Sequence, residues 1–188
     1  MICTEESMPL FGGRVFALRS IGTPTGGPFG ENSMIYNEEY FSGEIGQIGT
    51  QFDGPGHIGT QVKFEDGTFH DVYYNGYTGK DMYGPNGLRK LGIEHIKPII
   101  TRGILIDIAS AKNVDALQSE YIVTLSDVLQ ALANQGIKEE EIKEGDALFF
   151  RYGWARYWSE PATYNNNPPG IGTEVAYWIV EKKASMIG

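Results

Sequence analysis

The clearest periodic signal in the chain runs from Thr124 to Gln135. Leu125, Val128, Leu129 and Leu132 recur at three- and four-residue spacing, the apolar stripe of an amphipathic helix. Thr124 followed three residues later by Asp127 is a capping pair, and Gly136 supplies the stop. Thr173–Lys183 carries a second helical stripe, with Val175, Ile179 and Val180 predicted to face inward. Two unbroken apolar runs, Ile99–Ile108 and Ala147–Arg151, predict buried strands. Arg14–Arg19 reads as a first strand, and residues 20–33, rich in Gly and Pro, as a loop. Met34–Tyr40 and Gly43–Asp53 read as two strands able to pair with each other. Residues 59–90 show no strong periodicity, and Ala184–Ile187 begins a last strand. Helical and extended patterns interleave, so the fold class is α/β.

Punctuation is dense. The 25 glycines gather at positions 12–13, 26–27, 54–59 and 76–87, so short elements are joined by many tight turns. The stretch from Gln47 to His57 places one acid, two amides and a histidine within eleven residues. On a strand, Gln47, Gln51 and Asp53 share one face, with Gly49 between them leaving room for an ion, a water or a substrate. Gly54-Pro55-Gly56 then predicts a turn that swings His57 back towards Asp53. A carboxylate, amide oxygens and an imidazole converging in this way are the materials of a hydrolytic site.

The same stretch resembles the signature of the cyclase family of metal-dependent hydrolases, which includes the bacterial kynurenine formamidases and isatin hydrolases. The family's pattern is His-x-Gly-Thr-His-x-Asp-x-Pro-x-His. Gly49, Thr50, Asp53, Pro55 and His57 match it, while Gln47 and Gln51 stand where the two leading histidines belong. Further landmarks follow in family order: Thr101–Asp107, Gly145–Arg151 with Gly153-Trp154, and Pro169-Gly170-Ile171 before a helix. The resemblance covers residues 10 to 188. It implies a mixed or antiparallel sheet core flanked by helices, like the family's swivelling β/β/α architecture, in one domain spanning 1–188. Family members continue past the point where this chain stops, into a further histidine-bearing acidic segment, so the domain is expected to be incomplete at its C-terminus.

Hydrophobic residues make up 41% and charged residues 21%, a globular composition. The net charge of −9 argues against nucleic acid and anionic membranes as partners. Cys3 has no second cysteine to pair with, the acidic start lacks a leader's apolar core, and no apolar run reaches the roughly 20 residues of a membrane span. A cytoplasmic protein acting on a small-molecule substrate is the expectation. The resemblance adds a homodimer or homotetramer.

The resemblance implies hydrolysis of a small cyclic or N-acyl amide, or of a lactone, with arylformamidase chemistry as the reaction type. Asp53 is implied as a metal ligand or as the orienter of His57. His57 is implied as the catalytic acid/base, and an unperturbed imidazole titrates at about pH 6.5, well placed for proton transfer. Gln47 and Gln51 with Asp53 would be the metal-side set for Mn²⁺, Zn²⁺ or Mg²⁺. Neutral amide oxygens beside one carboxylate favour the hard ions over Zn²⁺. The other reading is a metal-free, non-catalytic relative in which the glutamines hydrogen-bond a small ligand. Each of these residues also has a plain structural role open to it: Asp53 capping a turn, His57 packed on the surface, the glutamines on a polar strand face. His70 and His95 match nothing in the motif. Tyr73, Tyr74, Trp154, Tyr157 and Trp158 either line a pocket for an aromatic substrate or pack in the core and at subunit contacts.

Overall fold

The computed structural model describes residues 14–22, 26–44 and 46–188. Cys3, the acidic start and the Gly12-Gly13 pair lie outside them. The chain forms two compact units, one built from residues 1–50 with 101–188 and the other from 51–100.

The larger unit carries the core. Its centre is a three-stranded parallel sheet of β7 (Gly103–Asp107), β9 (Ala147–Arg151) and β11 (Met186–Ile187), with β9 in the middle. Ile104, Ile106 and Leu148 are buried, but the strand predicted over Ile99–Ile108 forms only at Gly103–Asp107, and Ile99, Ile100, Leu105 and Phe149 are exposed. α3 (Leu125–Asn134) and α5 (Thr173–Glu181) complete the cluster with Val128, Ala131, Leu132, Val175, Trp178 and Ile179. Each such aliphatic side chain contributes about 1.5–3 kcal/mol on burial.

The ends of α3 behave as the sequence predicts. The Thr124 hydroxyl accepts from the Asp127 amide, and the Asp127 carboxylate accepts from the Thr124 amide. Gly136 turns left-handed at φ 71°, while Ile137 N–H closes on Leu132 C=O at 2.9 Å. Gln135 then clamps the helix to β7, donating to Leu105 C=O and accepting from Asp107 N–H. Asp107 also caps the short α2 (Ile108–Ala111) and takes Arg151 Nη1 of β9 at 2.8 Å. Arg102 and the buried Asp146 tie the starts of β7 and β9 together. The unit closes with a parallel pair, β8 (Ile122–Val123) and β10 (Gly170–Ile171), the short α4 (Pro161–Tyr164), and an antiparallel hairpin of β1 (Phe16–Gly22) and β2 (Glu38–Gly43).

Three local expectations need correction. The strand predicted over Gly43–Asp53 does not form. β2 ends at Gly43, and residues 46–57 run as turns and bends with a bridge at Gly49; Ile45 lies outside the described residues. Gln47 sits at φ 63°, which breaks any extended face shared with Gln51 and Asp53. The partner of the 38–43 strand is therefore β1, not the following segment. In α5, Val180 is exposed and Trp178 is buried, because positions 175, 178 and 179 form the i, i+3, i+4 stripe and 180 lies off it. Leu129 likewise points outward, and Ala131 takes the inner position.

The smaller unit is built from two antiparallel hairpins, β3 (Thr60–Lys63) with β4 (Phe69–Val72), and β5 (Tyr83–Gly84) with β6 (Gly87–Leu88), plus a helical turn α1 (Gly79–Met82). Met82 is fully buried at its centre. Sequence periodicity misses this unit because its elements are two to four residues long.

Candidate functional site

The turn predicted at Gly54-Pro55-Gly56 is present, closed by His57 N–H on Gly54 C=O at 3.0 Å. It returns the imidazole to the acid. His57 Nε2 lies 3.7 Å from Asp53 Oδ2, and both side chains keep about two-fifths of their surface open to solvent. Gln51 reaches the same carboxylate, its Nε2 lying 3.1 and 3.2 Å from Oδ1 and Oδ2. Gln51, Asp53 and His57 thus form one exposed cluster in the smaller unit.

The glycines of the turn are required by packing. A β-carbon on Gly56 would lie 2.8 Å from Leu88 Cδ1, 3.0 Å from Leu91 C=O and 3.0 Å from Met82 Cε. One on Gly54 would collide with Ile93 Cγ2. The second hairpin and the segment after it therefore brace the turn that carries His57. Sequence reasoning found the turn and did not find its brace, since Met82, Leu88, Leu91 and Ile93 follow no period.

Gln47 belongs to the larger unit, half-buried in its left-handed conformation. His95 is exposed beside Glu94, and His70 stacks on Phe64 and meets the Thr68 hydroxyl at 2.8 Å. Of the aromatics, Tyr73 is hydrogen-bonded to Tyr83 and Tyr74 is exposed. Trp154 packs edge-on against Tyr157, and Trp158 against Tyr164. Trp154 also lines an open cavity of about 680 Å³ in the larger unit, with Arg151 and Arg156. Both of those arginines are already paired, with Asp107 and Asp115.

The donors of the cluster decide which ion they suit. Among the described residues no three His, Cys, Asp or Glu side chains converge as a metal set. A closed tetrahedral zinc centre of nitrogen and sulfur donors is therefore not what this cluster offers. A hard ion asks for less: one or two carboxylates, neutral oxygens, and water in the remaining positions. Asp53 is open and carries an amide against both of its oxygens. A half-turn of that amide puts Gln51 Oε1 where Nε2 stands. The residues fit a hydrated Mn²⁺ or Mg²⁺.

Three comparisons place the chain among known proteins. Residues 4–188 match the profile of the Cyclase family, described as "Putative cyclase". No curated protein matches the chain. A crystal structure titled as that of a novel cyclase superposes with a TM-score of 0.80 at 26% identity, over 99% of this chain and 61% of the other. Isatin hydrolase A from Ralstonia solanacearum superposes with a TM-score of 0.61 at 21% identity, over 100% of this chain and 64% of that one, a likeness of fold. The chain thus spans less than two thirds of the length of either. With the profile matched over nearly its whole length, the chain belongs to the Cyclase family, and its α/β fold is a cyclase-family fold.

Proposed function

We propose that the chain carries part of the active site of a divalent-metal-dependent hydrolase. Its substrate is a small cyclic or N-acyl amide, or a lactone. The observation that carries the reading is the 3.7 Å approach of His57 Nε2 to Asp53 Oδ2 in a turn whose glycines pack closely against Leu88, Leu91 and Ile93. Family membership supports hydrolysis as the reaction class.

The residues divide the work. Asp53, with Gln51, would hold the ion. When bound, the ion supplies positive charge that polarises a carbonyl and acidifies water. His57 holds or moves the proton at Nε2, taking it from the attacking water and delivering it to the leaving nitrogen or oxygen. Exposed apolar side chains on the β1–β2 hairpin, Leu18, Tyr40 and Phe41 among them, support assembly as a homodimer or homotetramer.

The test is hydrolysis of a panel of N-formyl anilides, cyclic imides and lactones with Mn²⁺ or Mg²⁺ present. The His57→Ala chain should lose about 10²–10⁴-fold in kcat/KM while its circular dichroism and melting temperature stay at wild-type values. Equal rates in the two proteins would refute the role of His57. One observation favours a second reading, a metal-free relative that only binds ligand: Gln51 presents its N–H₂ to Asp53. That protein would show ligand-dependent thermal stabilisation and no turnover with any ion.

A further inference from the structure

The smaller unit holds a second concave site that the hydrolytic reading does not use. It is an open groove of about 540 Å³ between the first hairpin, α1 and the second hairpin. Gln61 and Asp71, cross-strand partners in the first hairpin, line it together with Phe69 and His70. Lys80 comes from α1, and Tyr83 and Arg89 from the second hairpin and its end.

Six of the chain's 15 basic residues, Arg102, Lys112, Arg151, Arg156, Lys182 and Lys183, pair with acids. Lys80 and Arg89 make no ion pair within 4 Å among the described residues. The Asp81 carboxylate next to Lys80 accepts from the amide and hydroxyl of Thr78 and also feels the charges of Lys80 and Lys90. Arg89 lies over Gly84, where a β-carbon would come within 3.3 Å of its Nε, so the glycine leaves room for the guanidinium. Asp71 is the one carboxylate of the groove, and it faces the Gln61 amide at 3.5 Å. Tyr83 stays a neutral phenol: its hydrogen bond with Tyr73 pushes its pKa up to about 12.

We propose that this groove binds a small oxyanion, a carboxylate or a phosphate. The Arg89 guanidinium provides the planar fork, and Lys80 a point charge in the same groove. Two cations against one acid leave the groove positive on a chain whose net charge is −9, so it is a place on this surface where an anion is drawn in. The inference stands apart from hydrolysis, since none of these side chains belongs to the Gln51, Asp53 and His57 cluster.

The experiment is isothermal titration of the full chain at low ionic strength with inorganic phosphate, acetate and benzoate. Saturable one-site binding of at least one is expected, and the probe that binds says which oxyanion is taken. Arg89→Gln and Lys80→Gln should each weaken it tenfold or more, and His57→Ala should leave it unchanged. Lys80 is exposed, so its variant keeps the fold, which a thermal melt of each protein verifies. Failure of all three probes to bind overturns the proposal. So does undiminished binding in both groove variants, or loss of binding in His57→Ala, which would put the anion at the catalytic turn instead.

Discussion

Gly56→Ala tests how the turn that carries His57 is held. Gly56 is buried, and its backbone is not in the left-handed region, so an alanine meets no torsional penalty there. The whole cost comes from contact. The new methyl would approach Leu88 Cδ1 to 2.8 Å and Leu91 C=O and Met82 Cε to 3.0 Å each. Leu88 can rotate, but the carbonyl is backbone and Met82 is fully buried, so the turn itself has to move. Overpacking of this kind costs about 1–3 kcal/mol. For a chain of this length each kcal/mol lowers the melting temperature by about 2–4 °C, so a fall of about 2–12 °C is expected. His57 is the next residue, so its distance to Asp53 changes with the turn, and hydrolysis should fall by more than the lost stability explains. Thermal melts are read beside Gly170→Ala, where an added methyl meets nothing within 4 Å. A Gly56→Ala protein that melts with the wild type and turns over at the wild-type rate would refute the bracing argument.

Other expectations concern the frame. Burial opposes the charged form of Asp127, yet Lys112, the Thr124 amide and hydroxyl, and Tyr121 outweigh it and hold the carboxyl down to about 2. A pKa depressed in the folded chain gives stability that is full above the unfolded value of 3.8 and is lost as pH falls towards 2. Acid titration followed by circular dichroism should therefore show a shallower loss over that window in Asp127→Asn, and an unchanged profile would contradict the assignment. Leu148→Ala opens a cavity in the middle strand of the parallel sheet and should cost about 2–5 kcal/mol in urea unfolding. A cost below 1 kcal/mol, on the same scale, would show that the sheet is not the core.

How much was legible depends on the range of the interaction that fixes each part. α3 is written locally, in a capping pair, a stripe and a stop glycine, and β9 in an apolar and aromatic run, so both appear close to where the sequence puts them, while β7 takes up only the second half of the run predicted for it. The turn at Gly54-Pro55-Gly56 is local too, and it delivers His57 to Asp53. The strand over Gly43–Asp53 failed for the opposite reason. Its alternation of polar and apolar residues is compatible with extension, but Gln47 takes a left-handed conformation that no period reports. The placing of Lys80 and Arg89 along one groove depends on the packing of short elements, a long-range fact with no local signature. The glutamines at 47 and 51 are visible in the sequence, and in the structure the Gln51 amide lies against both oxygens of Asp53.

The most direct measurement is the metal content of the full chain after loading with Mn²⁺ and desalting, set beside Asp53→Ala treated in the same way. The account predicts about one ion held per chain, lost in the variant, in keeping with a carboxylate-anchored hard-ion site. Manganese at background in the wild type, or equal amounts in both proteins, would contradict it.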